Sequence, residues 1–224
     1  MKQTLIAEAF GTLMLVMTVV GSGIMADQLS EGNDALALIG NTLATGCILV
    51  VLITLLGPVS GAHINPAVTL TLYFAREISA LTAFSYVVSQ VCGGFAGVIL
   101  AHMMFDMPLV QIATTDRASL PLYGSEFIAT AGLIFVVVFS RTHRPSSVPL
   151  LVGLYISACY WFTASTSFAN PAVTVARMFS DSFSGIAPPA VPSFILMQLL
   201  ASWPALKFTN WLLVARKTAD KTQN

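Results

Sequence analysis

The chain has 224 residues, of which 56% are hydrophobic and only 9% charged, and ten basic residues balance ten acidic ones. Ordinary soluble domains carry roughly 25% charged residues, so this sequence has little with which to cover a water-facing surface. A soluble enzyme, a disordered chain and a nucleic-acid binder fed by a basic patch are excluded on that ground, and the apolar surface is expected to face lipid.

Charge-free runs give the elements. Six long stretches lack Asp, Glu, Lys and Arg: 9–26, 35–75, 78–105, 127–140, 145–176 and 182–206. A membrane-crossing helix needs about 20 apolar residues. Runs 9–26, 78–105 and 182–206 each fit one span, and 127–140 fits once Tyr123–Glu126 is added. The N-terminus is not read as a signal peptide, because Leu5–Met25 is long for one and is preceded by Lys2 with Glu8 inside it.

Runs 35–75 and 145–176 are too long for one span and too short for two with a loop. In the first, Ala35–Leu56 gives way to Gly57-Pro58-Val59-Ser60-Gly61 and then a short apolar piece; in the second, Val148–Phe162 gives way to a Thr/Ser/Ala stretch and another short piece. Each reads as a full span, a re-entrant loop and a half-length helix. Backbone of that kind is tolerable at membrane depth only when packed in protein or lining a wet cavity.

Asn65-Pro66-Ala67-Val68-Thr69 returns 105 residues later as Asn170-Pro171-Ala172-Val173-Thr174. Glu8-x-x-Gly11-Thr12 is echoed by Glu126-x-x-Ala129-Thr130, and Gln90 by Gln198. The chain is therefore an all-α membrane protein of six transmembrane helices plus two re-entrant half-helices. It forms a single domain, 1–224, with repeats over approximately 1–105 and 120–216 and a cytoplasmic tail at 217–224. Three full spans per repeat is odd, so the second repeat is inverted, and the half-helices enter from opposite faces and meet near the midplane.

Asn is a strong N-cap and Pro is preset for the first helical position, so Asn65-Pro66 and Asn170-Pro171 each read as a helix start. The partial positive ends of both half-helices then face one another. Each Asn can cap its helix and still offer an amide N–H to a lumen. A neutral polar molecule is oriented there and a cation repelled.

These strings resemble the major intrinsic protein family, the aquaporins and aquaglyceroporins, over nearly the whole length. Ser60-Gly61-Ala62-His63-Ile64-Asn65-Pro66-Ala67-Val68-Thr69 matches the family's first signature, and Ala7-Glu8-Ala9-Phe10-Gly11-Thr12 its first-helix motif. The half-helix barrier is an established device of this class. The resemblance implies a homotetramer with one pore per subunit, passive conduction and no cofactor.

In water-selective members an Arg follows the second Asn-Pro-Ala; here that position is Val173. Family spacing places Thr45, Ser167 and Ala158 at the other constriction positions, with Tyr160 the alternative to Ala158 if the loop is two residues shorter. A ring of Thr45, Ala158, Ser167 and Val173 is wide, uncharged and weakly polar. The stretch Asn170–Ile186 resembles bacterial aquaglyceroporins of arsenic-resistance operons, which implies arsenite or methylated arsenicals as solutes. Arg177, four residues past Val173, is either a displaced charge at the pore mouth or, as the preferred reading, a surface Arg paired with Asp181.

Glu8 and Glu126 are ionisable residues at membrane depth, hence candidates for proton coupling. The preferred role is structural, each accepting N–H bonds from the re-entrant loop of its own repeat. His63 is expected in the inner pore; His102 and His143 fall at an outer end and an inner loop. Gly93, Gly94 and Gly97 allow close helix contact. Cys47, Cys92 and Cys159 form no CxxC pair, so neither a zinc site nor a disulfide framework is expected.

Lys2, Arg76, Arg141, Arg144, Arg216, Lys217 and Lys221 fall on one side of a six-span thread, and Arg117 and Arg177 on the other. The positive-inside rule then makes both termini cytoplasmic, in a multi-pass protein of a bacterial-type inner membrane. Lys207, inside the last span, is expected to snorkel inward. The function read from the sequence is passive conduction of small uncharged solutes (water, polyols, metalloid hydroxides). A proton-coupled secondary transporter is the alternative; no catalytic set supports an enzyme.

Overall fold

Local signals fix where the helices begin. In the computed structural model, Asn33 caps α2 (Asp34–Ser60) through Leu36 N, and Ser79 caps α4 (Ala80–Met104) through Thr82 N. Asn65 and Asn170 cap two short helices, α3 (Pro66–Phe74) and α7 (Pro171–Arg177), each with Pro in its first turn. The remaining helices are α1 (Lys2–Leu29), α5 (Leu120–His143), α6 (Val148–Phe162) and α8 (Val191–Thr222). The structure describes residues 1–222, with side chains through Val214; the expectations for Arg216, Lys217, Lys221 and the tail 217–224 lie outside the described side chains. Six of the described helices are long and apolar enough to cross a membrane.

Two elements differ from the sequence reading. The helix does not break at Gly57-Pro58: α2 runs through Pro58 to Ser60 and stops at Gly61, which adopts φ 88°. Pro58 deletes only its own bond to the previous turn, and the left-handed conformation open to Gly61 ends the helix. The last span starts at Val191 and not near Ser182, because residues 182–187 form a loop ahead of the short Pro188–Ala190 turn.

The packing has a matched plan. α1 lies against α4 and α2, α5 lies against α8 and α6, and α2 meets α6 between them. The short α3 and α7 both contact α4 and α8, and touch each other. Glycine sets the closest approach: a Cβ at Gly93 would run into the Ala9 carbonyl, and one at Gly97 would lie 2.5 Å from the Leu13 carbonyl. Such contact lets α1 and α4 approach backbone to backbone.

The surface is apolar and much of the interior is not. Leu55, Phe84, Ile128, Leu154 and Trp211 are exposed, while Glu8, Glu126, Gln90, Gln198, Thr69 and Thr174 are fully buried. That is the reverse of a soluble globule and suits a bilayer. Lys207 lies on the exposed face with its Nζ 5.3 Å from the Trp203 ring centroid.

Candidate functional site

Two buried carboxylates hold the loops that precede α3 and α7. Glu8 Oε1 accepts from His63 N at 3.0 Å and Ser60 Oγ at 2.6 Å; Oε2 accepts from Ile64 N at 2.6 Å and Gln90 Nε2 at 2.8 Å. Glu126 accepts from Phe168 N and Ala169 N, both at 2.9 Å, and from Gln198 Nε2 at 2.6 Å. Gln90 also donates to Thr69 Oγ1, and Gln198 to Thr174 Oγ1. Each carboxylate thus ties a loop, a half-helix and a long helix together. These bonds hold unusual backbone: Ala62, Ile64, Thr166, Ser167 and Ala169 all have φ between 39° and 60°. Each such residue costs of order 1–3 kcal/mol and persists only when its surroundings over-determine it.

The two loops then meet. Asn65 Nδ2 donates to Ala169 O and Asn170 Nδ2 donates to Ile64 O, each at 2.8 Å. The side-chain oxygens face their own helices: Asn65 Oδ1 accepts from Ala67 N, and Asn170 Oδ1 from Ala172 N and Val173 N. An amide carries two N–H donors, so each Asn keeps one for the cavity that both line. Pro66, Ala67, Pro171 and Ala172 are buried behind them.

That cavity measures about 570 Å³. Loop residues Gly61–Asn65 and Ser167–Asn170 give it a polar stripe, and most of the remaining lining is apolar, as with Leu49, Leu133 and Val152. Arg141 and Arg177 mark opposite ends. Arg117, just before α5, approaches the same Phe168 ring as Arg177, whereas Arg141 sits near the far end of α5. At 1.5 Å per residue, α5 is about 36 Å long. Arg141 pairs with Glu77 at 2.7 Å.

His63 lines the cavity, with Nδ1 3.1 Å from Thr69 Oγ1. Thr45, Ser167 and Val173 line it as well, at the Asn170 side. Ala158 does not. It is exposed on the outer face of α6, while Val152, Ile156 and Tyr160 recur at helical spacing along the cavity. Tyr160 replaces it, and its hydroxyl donates to Thr45 Oγ1 at 3.2 Å. The cavity wall there carries an aromatic side chain that the ring expected from the sequence lacks.

Arg177 also departs from the preferred reading. It is 2% exposed, lines the cavity and makes no pair with Asp181. Asp181 Oδ1 instead accepts from Thr114 N and Oγ1. The reason is local: α7 ends at Arg177, so the i,i+4 geometry that pairing requires never forms. Phe168, whose ring carries the Arg177 guanidinium, was missed; the only sequence signal was an aromatic two residues before Asn170.

Long apolar helices around two capped half-helices, with an internal cavity lined by their tips, define an integral membrane channel. The chain belongs to the major intrinsic protein family, whose model matches residues 1–169. It is 49% identical to aquaglyceroporin AqpS of Rhizobium meliloti, over 97% of this chain and 95% of that one. Aquaporin Z of Photorhabdus laumondii is 28% identical over 69% of this chain and 73% of its own length. The X-ray structure of the aquaglyceroporin from Plasmodium falciparum shares the fold, with TM-score 0.67 and 18% identity, covering 92% of this chain and 94% of that one. The protein is a channel for water and small solutes and not an enzyme.

Proposed function

We propose that the protein passively conducts small neutral hydroxylated solutes: glycerol-like polyols and metalloid hydroxides such as arsenite and methylated arsenicals, together with water. The observation that carries this reading is Val173, a short apolar side chain lining the cavity directly after Asn170-Pro171-Ala172. Thr45, Ser167 and Tyr160 line the same cavity, so hydroxyl-bearing residues and a hydrocarbon side chain share its wall. That suits a solute with both oxygen and carbon faces. The name borne by the 49% identical relative, aquaglyceroporin, supports the same class.

Asn65 and Asn170 orient the solute through their free amide N–H groups, and the opposed starts of α3 and α7 disfavour cations. The segments 1–105 and 120–216 act as inverted repeats of one domain. Glu8 and Glu126 serve as structural carboxylates, since every oxygen they present already accepts a bond. A proton carrier would have to break that set on each cycle, which supports a channel over a proton-coupled transporter. The lysine and arginine distribution supports cytoplasmic termini in a bacterial inner membrane, so the Arg177 end faces outward. Four copies assemble, with one pathway in each.

The test is stopped-flow swelling of proteoliposomes against water, glycerol, urea and arsenite. Gradient-driven glycerol and arsenite flux without saturation is the expected result. Accumulation driven by a pH gradient, or water flux alone, refutes the reading.

A further inference from the structure

Val173 leaves the sequence without an arginine after its second Asn-Pro-Ala, yet the cavity ends on one. Arg177 lies one turn further along α7, on the same face as Val173. Its guanidinium carbon sits 3.4 Å from the centroid of the Phe168 ring, and its Nε donates to the Ser184 carbonyl. Those two contacts set the plane of the group. No carboxylate meets it: the salt bridge among the described residues joins Arg141 to Glu77. Nη1 and Nη2 have no hydrogen-bond partner in the protein, and neither is among the sealed, unsatisfied atoms, so both open to the cavity.

A guanidinium is basic enough to keep its charge at neutral pH. With little exposure and no carboxylate in ion-pair contact, its field acts on whatever shares the cavity. Its stack on Phe168 offsets part of the burial cost. We propose that Arg177 is a specificity-determining residue of this channel: a positive collar set back by one turn. It excludes cations, while its free N–H groups replace the water shed by the oxygens of a neutral solute. Width and charge are thereby assigned to different positions, Val173 supplying the first and Arg177 the second. Arg117 is a positioning residue for the collar. Its Nε donates to Gly185 O at 2.9 Å and its Nη1 to Ser165 O at 3.4 Å, which ties the loop of Phe168 to the loop of Ser184.

This inference rests on the channel reading above, and the two fail separately. Purified wild type, R177Q and R177K are reconstituted into liposomes. Potassium and proton conductance and glycerol swelling are measured on the same preparations. The expected result is a rise of at least about tenfold in cation conductance for R177Q, with glycerol flux lowered because its donors are lost, and tightness like wild type for R177K. Should R177Q not assemble, R177M removes the same charge at similar side-chain length and must produce the same leak. A cation-tight R177Q or R177M that still passes glycerol, or a leaking R177K, overturns the inference. A wild type that passes water but no glycerol or arsenite overturns the solute assignment instead, and the cation readout still decides the role of Arg177.

Discussion

The Asn65 side-chain amide donates to the Ala169 carbonyl at 2.8 Å across 104 residues of sequence. The bond couples the cap of one half-helix to the loop of the other, and Asn170 returns it through Ile64. Changing Asn65 to Asp removes that donor and puts a negative charge between two helix starts. N65D is expected to conduct potassium measurably where wild type does not, read by current across planar bilayers. N170D is expected to do the same.

Val173→Arg puts bulk and charge into the cavity that Tyr160 and Thr45 also line. Glycerol permeability is expected to fall about tenfold, equivalent to about 1.4 kcal/mol on the barrier, with water flow less affected. Swelling rates with matched protein amounts check it. Equal loss of both fluxes would mean that Val173 does not border a constriction.

The placement of Tyr160 over Ala158 yields a paired test. Tyr160→Ala should raise the flux of glycerol and urea, because it deletes the aromatic wall and the bond to Thr45. Ala158→Leu, on the exposed face, should leave both fluxes unchanged. The same swelling assay distinguishes the two.

Glu8→Gln replaces an acceptor with an amide whose nitrogen must face donors from His63, Ile64 or Gln90. Either oxygen it replaces accepts two bonds, one of them from a backbone N–H, so at least one buried donor is left unmatched at a cost of about 1–3 kcal/mol. A lower melting temperature in detergent and a lower folded yield are expected, with permeability per channel retained. A normal melting temperature with lost flux would favour a coupling role.

Much of this was legible in the sequence because lipid imposes a simple code. Charge must vanish for the length of a span, so 9–26 and 78–105 announced their helices. The doubled Asn-Pro-Ala-Val-Thr string announced both half-helices, since cap and N1 chemistry are local. What was not legible depended on how far a helix runs. Gly57-Pro58 looked like a break, but a proline near a helix end forfeits a single bond, and α2 continued to Gly61. Arg177 looked like the partner of Asp181, but α7 stopped first and the side chain turned to Phe168 and Ser184. Ala158 and Tyr160 could be separated only by the true length of the loop after α6.

The exchange of amide bonds between Asn65, Ala169, Asn170 and Ile64 also bears on biosynthesis. A ribosome that has made only the first hundred residues has released a loop whose amide tip has no acceptor and whose carbonyl has no donor. The early half therefore lacks its latch until residues 169 and 170 have been made. Assembly of the pathway is a late event of translation, and neither half can complete it without the other.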